Sequence, residues 1–257
     1  MKSFVAFLKK EWMDLIRSGR LLVLVILFVV FGIMNPAIAK VTPWLMEMMA
    51  DSLAETGLIM TEVHVDAMTS WTQFFKNIPM GLIAFVLIQS SLFSKEYQSG
   101  TLVLVLTKGM ARYKVIVAKF SVMIFLWTFC YWLCYGITYG YNAYFWDNSV
   151  ANVLVPTAIN WWLFGVWTIS LIVLFSAFVR NNIGVLIGTG GTVLAAYLIG
   201  LLPKVKEYSP TMLMNTAGLL AGAEELATYS KTIGVTLILC VAAVGVSIPI
   251  MNKRELL

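Results

Sequence analysis

Few residues in this sequence carry groups that can do chemistry, and fewer are spaced to do it together. His64 is the single histidine, flanked by Glu62 and Asp66. One imidazole and scattered carboxylates fall short of the donor set of a metal centre, so the reading there is a solvated helix face and no metal. Cys130 and Cys134 stand one helical turn apart, the spacing of a ligand pair or a disulfide. Both, like Cys240, sit in apolar runs without a nearby histidine or acid, where a thiol packs as a small polarizable side chain. Glu224-Glu225 has no His or Arg at helical spacing. An intramembrane hydrolase needs paired His, Asp, Glu or an activated Ser within its apolar segments, and here those segments have none, so no catalytic residue is expected. Glu96 is harder to dismiss. An acid so near the end of an apolar run is a costly placement, and it is followed by Gly100-Thr101 and by basic residues at 108, 112, 114 and 119.

The elements that must hold these residues are apolar. Of 257 residues, 60% are hydrophobic and 12% charged, against about 45–50% and about 25% in a soluble domain; the mean hydropathy is +0.85. So much apolar side chain needs an apolar solvent. A nucleic-acid binder, a disulfide scaffold and a disordered chain are thereby excluded, despite a pI near 9.1. A crossing takes roughly 20 residues for about 30 Å of hydrocarbon. Six stretches qualify: Leu21–Ala39, Ile78–Ser94, Phe120–Tyr144, Val153–Val179, Ile183–Leu202 and Thr232–Met251, all without an ionisable side chain other than Cys and Tyr. Asn35-Pro36 is expected to kink or end the first. The expected fold is an all-α membrane protein, one transmembrane domain over 1–257.

Charge sets the expected direction. With the N-terminus inside, the inner segments hold 13 of the 18 basic residues, and the outer ones hold nine of the 13 acids; both termini are therefore read as cytoplasmic. Residues 1–20 place Phe4, Val5, Leu8, Trp12, Leu15 and Ile16 on one face and are too charged to cross, which predicts an amphipathic helix in the inner interface rather than a cleavable leader. Thr42-Pro43 reads as a helix start in a long outer loop. Loop 203–231 is read as outer too, with short helices dipping into the interface. Gly184-x-x-x-Gly188, with Gly191, and Gly136-x-x-x-Gly140 offer small faces for close helix contact.

Glu96, Gly100-Thr101, the leucine-rich stretch to Leu106, Arg112 and Lys119 together resemble the Glu–Gly-Thr–Leu–Arg–Lys pattern of bacterial ABC exporter permeases of type 2. Gln73–Ile78 and the opening Lys9-Lys10-Glu11 with Arg17-Ser18 are similar to that family as well, in particular to small permeases of peptide and multidrug exporters. One departure is Gly109-Met110, where relatives often carry a proline. The resemblance implies six crossings with an N-terminal interfacial helix and a coupling helix between spans two and three, in the bacterial plasma membrane. It implies two ATPase subunits beneath, a second permease chain (identical or homologous), and ATP with Mg on those partners. Glu96, Gly100, Thr101, Arg112 and Lys119 would be the residues that couple to the ATPase.

The residues agree in what they lack. No G-x-x-x-x-G-K-[ST] phosphate loop occurs in the chain, so no cofactor is expected on it, and its partners are an ATPase and lipid, not nucleic acid. The cargo is read as apolar or amphipathic: peptide, lipid or drug. An ion-coupled transporter or channel, which normally buries midplane carboxylates, and a non-transporting scaffold are the alternatives. Trp127, Tyr131, Tyr135 and Tyr139 recur every four residues along span three. Mid-membrane tyrosines need a hydrogen-bond partner or a wet cavity, so the stripe either packs on a neighbouring helix or lines a cargo path between two protomers.

Overall fold

A computed structural model describes residues 2–54, 65–91, 96, 100–107, 109–151 and 153–253. The expected segment around Thr61, with Glu62 and His64, lies outside them. The described residues form helices and no strand. In chain order these are α1 (Lys2–Arg17), α2 (Arg20–Ala54), α3 (Ala67–Gln89), α4 (Thr101–Thr107), α5 (Arg112–Phe145), α6 (Leu154–Phe178), α7 (Asn182–Gly200), α8 (Ala217–Leu220) and α9 (Ser230–Lys253). Six stretches are long and apolar enough to cross a membrane: Arg20–Met48, Ala67–Gln89, Arg112–Phe145, Leu154–Phe178, Asn182–Gly200 and Leu226–Lys253.

The first two crossings differ from expectation. Pro36 and Pro43 lie inside one continuous α2, so neither ends a helix and Thr42 is not a cap. Proline at 36 leaves the carbonyl of Gly32 without its usual donor, and the Thr138 hydroxyl of α5 donates to that carbonyl at 3.1 Å. Asn35 joins the same patch, donating to Thr138 Oγ1 and accepting from Asn77 Nδ2. Thr42 donates its hydroxyl to Ile38 O instead of starting a helix. The second crossing begins at Ala67, capped by the Asp66 carboxylate on the Thr69 N–H. It therefore contains Lys76, and the longer crossings of α2 and α5 contain Lys40 and Lys119, which corrects the expectation that no crossing holds an Asp, Glu, Lys, Arg or His.

Helix α6 is the most buried crossing. It packs along α9, α5 and α7. Its contact with α5 answers the question posed by the aromatic stripe. The Tyr131 hydroxyl donates to Ala158 O at 2.7 Å, the Trp127 indole N–H donates to Trp162 O at 3.1 Å, and the Trp162 indole donates back to Thr128. Trp127, Tyr131 and Tyr135 are buried within the single chain, and Tyr139 alone is 46% exposed. Trp127 and Tyr131 therefore pack on α6, and Tyr135 is buried with its hydroxyl unpartnered among the described residues. Cys130, Cys134 and Cys240 are free and buried. Gly184 and Gly188 face Val179 and Phe175 of their own chain, whereas Gly136, Gly140 and Gly191 meet nothing within 4 Å. The Gly184 motif thus serves packing inside the chain, and the Gly136 face stays open. Between α7 and α9 the chain turns back on itself: Ser209 Oγ donates to Ala196 O, and Leu213 is fully buried.

Gly165 lets this arrangement form, because a Cβ there would stand 2.3 Å from the Trp127 ring. Overpacking of this kind costs about 1–3 kcal/mol or more. Gly165→Ala is expected to lower the yield and thermal midpoint of purified protein. Gly136→Ala, which meets open space, is expected to leave both near wild type.

Candidate coupling site

Five charged side chains from three segments meet where α5 begins. Helix α1 carries an apolar face of Phe4, Phe7, Leu8 and Leu15 packed into the core, and Glu11 falls on that face and is 2% exposed. Val5 and Ile16, expected on the same face, are instead 60% and 51% exposed. Lys119, fully buried on α5, places its ammonium 2.9 Å from Glu11 Oε2 and 3.0 Å from Glu96 Oε2. Lys10 reaches Glu11 Oε1 at 3.0 Å, Asp14 Oδ2 at 3.2 Å and the other Glu96 oxygen. Removing water from Lys119, Glu11 and Glu96 is costly, and the cluster persists because each of these charges meets opposite charges, with Lys10 and Asp14 at its exposed edge. It fastens α1, the segment before α4, and α5 to one another.

Glu11, Asp14 and Glu96 bring carboxylate oxygens within 4.8 Å, a grouping that resembles a cation site. Each of those acids already touches a lysine ammonium, which is how their charge is balanced. Beside the cluster a hollow of about 330 Å³ is also lined by Arg17 and Arg20.

The expected coupling residues separate into two groups. Glu96 and Lys119 are brought together. Arg112 stands apart from that cluster and donates to the carbonyls of Met251 and Asn252 at the end of α9, where a cation suits the helix dipole. Gly100, at φ +68°, makes the turn into α4 that Thr101 opens. Gly109, at φ +84°, ends α4 with its N–H on Leu106 O, so glycine makes the turn where relatives were expected to carry proline. Sequence reasoning missed Glu11 as a buried partner. The signal was there: an acid three residues after Leu8 and four before Leu15, in the middle of an apolar face.

The cluster's electrostatics define its pH range. Burial opposes the Glu96 charge, but Lys119 and Lys10 outweigh it and hold the carboxyl below its usual 4.5. Burial likewise opposes the Lys10 charge, and Glu96 with Glu11 outweighs it, raising the ammonium above its usual 10.5. The Glu96 contribution is therefore present above pH 4.5 and lost as pH falls through the depressed value. The Lys10 contribution is present below pH 10.5 and lost only in stronger alkali. Spin labels at exposed Val5 and Phe125 are expected to keep one separation through neutral pH and to spread in acid. Glu96→Gln is expected to loosen the pair at neutral pH and flatten the acid step; an unchanged acid step would show that Glu96 does not hold α1.

Comparison with family models matches residues 5–256 to the ABC-2 family transporter protein. Searches of curated proteins and of solved structures gave no match.

Proposed function

This chain belongs to the ABC-2 transporter family, and from that premise we propose that it is the permease subunit of an ATP-driven exporter whose ATPase is a separate protein. The observation that carries the reading is the match over 5–256, nearly the whole chain and all six candidate crossings. The chain is a multi-pass membrane protein, and no phosphate-binding loop occurs in its 257 residues. From the family membership, ATP and Mg are assigned to two ATPase copies beneath the permease. A second permease chain completes the pathway, and the open Gly136 and Gly140 face supports close approach by another helix.

The ATPase is placed at the end that gathers α1, α4, the start of α5 and the end of α9. In this reading Glu96, Gly100, Thr101, Arg112 and Lys119 do not all touch the partner. Gly100 and Thr101 shape the exposed turn. Glu96 and Lys119, being buried, pass its displacement to α1 and α5, and Arg112 passes it to α9. The physical requirement is a stiff link, because a displacement at a docking surface moves the crossings only if nothing between them yields. Basic residues at this end support cytoplasmic termini in a bacterial plasma membrane. The cargo is an apolar or amphipathic molecule moved outward.

Two measurements test this. Glu96→Ala, which strands part of the Lys119 charge, is expected to accumulate to a lower level and, per mole of inserted permease, to cut stimulated ATP hydrolysis by the co-purified ATPase at least fivefold. Full stimulation would overturn the coupling role. For direction, Lys204→Cys is expected to react with an impermeant thiol reagent on intact cells and Lys253→Cys only after permeabilisation; the reverse pattern inverts the topology.

A further inference from the structure

One face of α3 runs through Met68, Thr72, Lys76, Pro79, Ile83 and Leu87 at three- and four-residue spacing. Its first part walls a hollow of about 390 Å³ against the chain from Met214 to Ala221. Its second part walls a cavity of about 370 Å³ against α6 and α7. Met214 lines both, so the two lie end to end along α3. Their chemistry differs. The first is amphipathic, with Lys76, Thr72, Asn215 and Thr216 in its wall. The second is almost wholly apolar, and its wall includes Trp161 and Thr189, whose indole N–H and hydroxyl are buried without a partner.

Lys76 stands nine residues into α3 from Ala67, about 14 Å along the axis. It is exposed and makes no ion pair among the described residues. An ammonium inside a crossing segment is costly unless an anion or water meets it. We propose that this groove binds an anionic amphiphile, its chain in the apolar cavity and its phosphate or carboxylate on the Lys76 ammonium, with Thr216 as a hydrogen-bonding neighbour. Size and lining match small-molecule sites, which are mostly apolar with a few placed polar groups. Charge decides the class: a cationic head would be repelled by Lys76, and a neutral one leaves the ammonium unpaired. The proposal deepens the reading of the cargo as amphipathic and rests on it. Binding is nevertheless measured on the permease alone, so failure here is distinguishable from failure of ATPase coupling.

The full chain in phosphatidylcholine nanodiscs is titrated with dodecyl phosphate, dodecanol and dodecyltrimethylammonium, each corrected for empty discs. Dodecyl phosphate is expected to bind at least tenfold tighter than the other two. Lys76→Gln should remove that preference and Lys76→Arg should keep it. Gly190→Leu, whose Cβ meets nothing within 4 Å at the cavity wall, should weaken all three. Equal affinity for the three probes, a preference that survives Lys76→Gln, or unchanged binding in Gly190→Leu would overturn the site. Discs containing phosphatidylglycerol then separate the sources. Competition identifies a two-chain lipid and its absence a single-chain amphiphile, and either result supports an anionic amphiphile at Lys76.

Discussion

A polar group inside this bundle has no bulk water to turn to, and much of the interior is arranged around that single constraint. In hydrocarbon every backbone donor and acceptor must be met by protein. Where Pro36 takes a donor away from Gly32 O, Thr138 supplies one, and α2 continues as helix into its second half. For Trp127 and Tyr131, which fall mid-segment, the carbonyls of Trp162 and Ala158 receive the N–H and O–H. These bonds fix which face of α5 meets α6, and Gly165 allows the approach to be close enough to form them.

The same constraint acts on charge at the end where the termini gather. Lys119 is fully buried between Glu11 and Glu96, the two acids it shares with Lys10. Such a cluster adds little net stability over an apolar core of equal volume, but breaking one member leaves a buried charge alone and is strongly unfavourable. That asymmetry gives specificity of position. It makes α1 part of the body of the protein instead of a helix lying loosely beside it, and it ties Glu96 to Lys119 of α5. Arg112 does the equivalent for α9 through backbone carbonyls.

Lys76 is the counter-example, a cation in a crossing helix that the described fold does not pair. Its neighbours are hydroxyl and amide groups above and an apolar cavity below, which is the arrangement of a site left for something outside the chain.

Composition and run length were enough to determine the all-helical class and the six crossings, because burying about 20 apolar residues per segment leaves few alternatives to a helix. Glu96 and Lys119 were legible as well, since a charge at the edge of an apolar run is conspicuous. Their mutual contact was not, nor was Glu11 as the third member, because the pairing joins residues 11, 96 and 119, and only packing of α1 on α5 brings them within 3.0 Å. Tertiary structure also decided the fates of Pro36 and Lys76. A proline ends a helix in isolation but is tolerated when a hydroxyl on a neighbouring helix answers the freed carbonyl. A lysine marks a loop in isolation but belongs to the helix when the Asp66 cap and the packing of Trp71 and Phe74 start that helix nine residues earlier. The aromatic stripe was visible at spacing four, yet its orientation toward α6 depended on two carbonyls and one glycine from a distant segment. Local sequence specifies what a segment must bury; which neighbour it is buried against is a property of the whole bundle.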